Sequence, residues 1–225
     1  MQTLTLSPML VARFAPHQRL AEDLLPHAVE DSSGGVDGAH DLAHLARVYR
    51  NAMAISAVEG GDREVIAAAT LLHDCVAVEK NHPDRARASQ LAADKARSLL
   101  VARHWPTTRV DAVAHAITAH SYSAGIEPET LEACILQDAD RLDSLGAMGV
   151  ARTFYIAGRM RSALYDDADP GAESRPLDDR RFAIDHFPAK LLRLAEGFRT
   201  ETGRQLARQR HDRLQQFFND FMQEV

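Results

Sequence analysis

Aromatic residues are scarce: one tryptophan, four tyrosines and eight phenylalanines make up 6% of the 225 residues, against 45% hydrophobic residues overall. The apolar content is therefore mostly alanine, leucine and valine, a composition that favours close-packed helices over sheet. There are only two cysteines, Cys75 and Cys134, both in apolar helical patterns and neither in a Cys-x-x-Cys pair. That usage suits a reducing cytoplasm. Basic residues are outnumbered, 26 against 32 acidic, and the net charge of −6 argues against a nucleic-acid backbone as the main partner. No apolar stretch approaches the roughly 20 residues of a membrane span. The first residues, Met1-Gln-Thr-Leu-Thr-Leu-Ser-Pro, lack the basic start and apolar run of a secretion signal. Neither a Ser/His/Asp set nor a glycine loop able to cradle phosphate is present, which removes two common catalytic classes.

What is there reads as helix. Prolines at 8, 16 and 26 punctuate one or two short leading helices, and a Ser/Gly-rich loop spans 31–38. Leu42, Leu45, Val48, Tyr49, Ala52, Met53 and Ile55 then recur at helical spacing. Gly60-Gly61-Asp62 is a stop followed by a start. The next helix is expected over 63 to about 78, with Val65, Ile66, Ala69 and Leu72 inward. Further helices are expected over 84–104, 107–119, from Pro128, over 145–160 and over 200–225. The charged stretch 166–181 reads as a mobile lid or a disordered insertion. At this length the whole chain, 1–225, suits one all-α domain. Helices over 185–225 are expected to pack on its core.

Three segments carry chemistry. His73-Asp74 ends the apolar run Ala67-Ala-Ala-Thr-Leu-Leu72. An imidazole and a carboxylate there are costly to desolvate, and a divalent cation at about 2.0–2.3 Å satisfies both. His44 lies in His40-Asp-Leu-Ala-His44-Leu-Ala-Arg-Val48, and Asp140 in Leu136-Gln-Asp-Ala-Asp140-Arg-Leu-Asp143. His40 and His44 are four apart and share a helix face. His40 is either a neighbour that orients substrate or a polar cap, and Arg47 lies one turn beyond His44, near the same mouth. Lys80, in the polar loop after His73-Asp74, is either a phosphate contact or a solvated lysine. Asp138 reads as an exposed helical acid, while Arg141 either pairs with these acids or reaches a phosphoryl oxygen.

The order His44, His73-Asp74, Asp140 resembles the HD-domain superfamily of metal-dependent phosphohydrolases. The wording of the segments resembles its small, single-domain bacterial members, and by motif the resemblance covers about 35–160. The resemblance implies an all-α HD-type helical bundle with His44, His73, Asp74 and Asp140 binding one metal ion between helices. His120 resembles a site position of the family, which implies a phosphate-binding or acid role. Lys190, in His186-Phe-Pro-Ala-Lys-Leu-Leu192, is a candidate phosphate contact on the same ground. Guanosine-tetraphosphate hydrolases of the superfamily carry His-Asp-x-x-Glu-Asp, where this chain has Ala77-Val78, so that specialisation loses ground.

Two imidazoles and two carboxylates suit manganese, iron, cobalt, nickel or magnesium. Asp74 or Asp143 would accept the proton of the attacking water, and Lys80, Arg141, Lys190 and His120 would neutralise developing charge. The expected reaction is hydrolysis of a phosphate ester or anhydride. By resemblance the substrate is a small nucleotide, with nucleoside triphosphate pyrophosphohydrolysis one form of it. The alternative is a sensor module that binds metal and nucleotide without turnover. The sequence leaves a homodimer open.

Overall fold

The computed structural model describes residues 7–28, 42–76, 78 and 87–225. Among them there is no strand, only an isolated parallel bridge between Ala163 and Phe182. The all-α expectation holds. The backbone falls into two compact units, residues 1–140 and 141–225.

The first unit contains α1 (Pro8–Ala12), α2 (Gln18–Ala28), α3 (Leu42–Glu59), α4 (Arg63–Leu72), α5 (Ala88–Ala102), α6 (Thr107–His120) and most of α7 (Leu131–Leu142). Its centre is α4, whose residues from Val65 through Leu72 are all buried. Helices α2, α3, α5 and α6 pack around it. A helix apolar on every side is stable only when surrounded, and the four alanine or threonine positions 67–70 let its neighbours approach closely. Gly60 and Gly61, at φ of +90° and +88°, turn the chain out of α3 in a conformation that favours glycine. Asp62 then caps α4, its carboxylate accepting from the amides of Glu64 and Val65 at 3.0 and 3.3 Å. The stop-and-start reading of this turn is borne out.

One boundary differs in a way that matters. Helix α4 ends at Leu72 rather than near 78, and His73 is its C-cap. His73 and Asp74 therefore sit in the turn that leaves the helix, His73 itself still in helical conformation at φ −60°, ψ −32°. Helix α7 also begins later than expected, at Leu131 rather than at Pro128.

The second unit contains α8 (Gly146–Met160), α9 (His186–Ala189), a 3-10 turn at Leu191–Arg193 and α10 (Glu201–Glu224). Thr200 caps α10 through its hydroxyl and the Gly203 amide, 2.9 Å. Helices α8 and α10 pack against each other, and Phe154, Phe187, Phe217, Phe218 and Phe221 form an aromatic cluster with ring centroids 5.5 to 6.2 Å apart. Gly149 is required there, because a Cβ would stand 2.3 Å from the Ser144 carbonyl oxygen.

The segment 166–181, expected to be a lid or a disordered insertion, is instead pinned at several points. Arg175 forms a two-pronged pair with the buried Asp185, 2.5 and 3.0 Å, and lies over the Phe182 ring. The Asp178 amide adds a third bond to Asp185 at 2.7 Å. Asp169 accepts from the amides of Glu173 and Ser174, and these bonds hold its carboxyl below the usual carboxylate range. Many polar residues suggested freedom, whereas the same residues supply the staples.

Candidate metal centre

Helices α4, α6 and α7 bring their carboxyl-terminal ends to one place. His73 follows the last residue of α4, His120 is the last of α6, and Asp140 lies in the last turn of α7. Helix α3 brings His44 in its first turn. Three helix C-termini direct partial negative charge at this point, which favours a cation.

The facing atoms are all lone-pair donors. His73 Nε2 stands 3.4 Å from Asp74 Oδ2 and 3.9 Å from Asp140 Oδ1. His44 Nε2 stands 3.5 Å from Asp140 Oδ1 and 3.9 Å from Asp74 Oδ2. These separations exceed ordinary hydrogen bonds. Atoms about 2.0–2.3 Å from one shared ion stand roughly 3 to 4.3 Å apart, depending on the angle between them. The donor set therefore fits a divalent cation.

Sequence reasoning had His120 apart from the ligands; its geometry places it among the same donors. Its Nε2 is 3.7 Å from Asp74 Oδ1, and its ring meets that of His73 edge to face at 4.9 Å. Two overlapping triads result, His44/His73/Asp140 and His73/Asp74/His120. Nδ1 of His73 donates to the Thr70 carbonyl at 2.8 Å, and Nδ1 of His120 donates to the Ile117 carbonyl at 2.5 Å. A carbonyl only accepts, so both rings carry their proton on Nδ1 and turn the Nε2 lone pair toward the cluster. Burial first, then the neighbouring His73, hold the His120 imidazole below its ordinary value, with Asp74 and Asp140 opposing. His44, His73 and His120 are buried, while the side chains of Asp74 and Asp140 keep 38% and 29% exposure. The centre is thus lined by imidazoles on its protein side and opens through its carboxylates.

The other expected residues are distributed as follows. Arg47 is half-buried on α3, three residues after His44. Lys190 is exposed at the end of α9. His40 and Lys80 lie outside the described residues. Arg141 is buried and donates to the carbonyls of Leu194, Glu196 and Gly197 at 2.7 to 3.0 Å, with its guanidinium over Phe198. Asp143 is buried and accepts from Arg152 at 3.0 Å. Both residues thus carry structural bonds of the second unit. His115 accepts the Glu129 amide at 3.0 Å through Nε2. Asp138 is not an exposed acid but fully buried, 0%.

Residues 41–145 match the HD domain family. The Bacillus subtilis protein YpgQ is 34% identical over 200 residues, 87% of each chain. Among solved structures, an HD-superfamily hydrolase from Bacillus thuringiensis superimposes with a TM-score of 0.66 at 30% identity, covering 96% of both chains. A crystal structure of YpgQ in complex with ADP superimposes with a TM-score of 0.64 at 33% identity, covering 83% of this chain and 90% of that one. The helical fold, the placement of its histidine and aspartate donors and this extent of similarity agree, and the chain belongs to the HD domain family.

Proposed function

We propose that this protein hydrolyses a phosphate ester or anhydride of a small phosphorylated metabolite, a nucleotide in the first instance, at one divalent cation held by His44, His73, Asp74 and Asp140. The observation that carries the reading is the convergence of four lone-pair donors at separations suited to a shared ion. The nucleotide class is supported by the ADP complex of YpgQ.

Bound there, a divalent cation supplies Lewis-acid polarisation of a phosphoryl oxygen and makes water a better nucleophile. The mixed nitrogen and oxygen set suits manganese, iron, cobalt, nickel or magnesium. Asp74 is the most exposed donor of the cluster and is the residue assigned to accept the proton of the attacking water. His120 turns its Nε2 lone pair toward the same point, 3.7 Å from Asp74 Oδ1, and is assigned to receive a proton at that atom. Arg47 is assigned to the phosphate charge; His40, Lys80 and Lys190 are further candidates for substrate contact on sequence grounds. Arg141 and Asp143 receive no part in this chemistry, because the bonds described above commit them to structure.

The test is release of phosphate and pyrophosphate from a panel of nucleotides with manganese, cobalt, nickel and magnesium in turn, comparing wild type with Asp74→Ala. Metal-dependent release that disappears in the variant supports the hydrolase, and the product identifies the bond cut. Nucleotide binding with no turnover under any of these conditions would move the assignment to a sensing module.

A further inference from the structure

The last carbonyls of a helix have no partner within it, and three helices end at the metal centre. Their final turns therefore present orphan acceptors beside the ligands. On α4 and α6 one such acceptor is taken locally, by the histidine Nδ1 bonds to Thr70 and Ile117. Two more are taken by side chains from other helices. Asn51, two turns beyond His44 on α3, donates its amide to the carbonyl of Ala139, the residue immediately before Asp140, at 3.0 Å. Gln137, one turn before Asp140 on α7, donates to the carbonyl of Ala119, the residue immediately before His120, at 2.8 Å.

Each amide is buried, Asn51 at 4% and Gln137 at 1% exposure. Buried amides are costly unless bonded, and an alanine-rich core offers apolar alternatives at lower cost. What distinguishes these two is where their bonds end. Each leaves a helix that carries one ligand and fixes the main chain next to a donor on the following helix, in the chain α3 to α7 to α6. Apolar packing alone tolerates sliding of one helix along another, while a directed bond to a carbonyl sets register.

We infer that Asn51 and Gln137 are positioning residues that set the register of α3, α7 and α6, and with it the spacing of His44, Asp140 and His120 around the cation. This rests on the metal-centre reading proposed above. Neither amide is assigned contact with substrate.

The test is cobalt(II) binding to the full-length protein, followed by the visible absorption of the bound ion and by titration, in wild type, Asn51→Leu, Gln137→Met and Thr153→Val. The last is a control: Thr153 is a buried residue whose hydroxyl donates to the Gly149 carbonyl within its own helix, so its loss removes a buried hydrogen bond far along the chain from any donor. The expected result is a loss of roughly 10–100-fold in cobalt affinity with an altered visible band in Asn51→Leu and Gln137→Met, and wild-type affinity and band in Thr153→Val. Gln137→Asn keeps an amide but shortens its reach, and it serves if an apolar variant does not fold. Wild-type affinity and spectrum in the two amide variants would overturn the inference while leaving the metal centre intact. Equal losses in Thr153→Val would overturn it too, by reducing the effect to general destabilisation. A wild type that binds no cobalt would overturn the metal centre, and the inference with it.

Discussion

Nine of the eleven histidines lie in the first 140 residues, and seven of the eight phenylalanines lie after them. The two compact units thus handle buried polarity in opposite ways. In the second, each buried carboxylate with a described partner meets an arginine: Asp185 meets Arg175 and Asp143 meets Arg152. Charge is balanced within the protein, beside a cluster of five phenylalanine rings. In the first, carboxylates meet imidazoles at distances too long for hydrogen bonds, in a mostly aliphatic core. Groups that balance one another make a staple. Groups that present the same kind of lone pair to a common point make a place for a cation.

That contrast predicts separable effects. The largest is expected in the first unit: Asp74→Ala or His73→Ala should lower metal-dependent turnover by about 10³-fold or more, the equivalent of several kcal/mol of transition-state stabilisation, with the folded baseline retained in circular dichroism. Next, Phe187→Ala removes a fully buried ring stacked on Phe217 and Phe218. It should cost about 3–5 kcal/mol of stability in chemical denaturation while leaving metal affinity at its wild-type value. A matching loss of metal affinity would erase the distinction between the units. Asp62→Ala should cost about 1 kcal/mol, as for other helix caps, read from the same denaturation curves.

The smallest effect sharpens the electrostatic side. His120 is held below its ordinary value of 6.5 in the folded metal-free protein, so as pH falls through about 6.5 the unfolded chain takes up a proton that the folded chain refuses. Stability is then lost with falling pH, because the unfolded state binds more protons. His120→Gln should flatten the acid side of a stability profile of metal-free protein, and a profile that keeps its slope in this variant would locate the titration elsewhere.

The candidate ligands were legible because each interrupts an apolar helical pattern at a position that burial makes costly. Helix identity was legible for the same reason: spacing alone places α3, α6, α8 and α10. Three features were not. The end of α4 at Leu72 depends on His73 taking the Thr70 carbonyl, a local bond that periodicity does not encode. Arg141 sat in a motif beside the candidate ligand Asp140, yet its guanidinium is directed at carbonyls more than fifty residues later in the chain. The stretch 166–181 has the composition of a loop, and its order comes from Arg175 finding Asp185, a pairing that composition does not reveal. In each case the deciding interaction joins residues whose types were visible and whose partners were not.

His44, His73, Asp74 and Asp140 are proposed to surround one divalent cation. Anomalous diffraction from crystals grown with manganese tests it directly. A single strong peak is expected about 2.0–2.3 Å from donor atoms of all four residues. Crystals with no peak at this cluster, or with manganese bound only at other carboxylates, would contradict it.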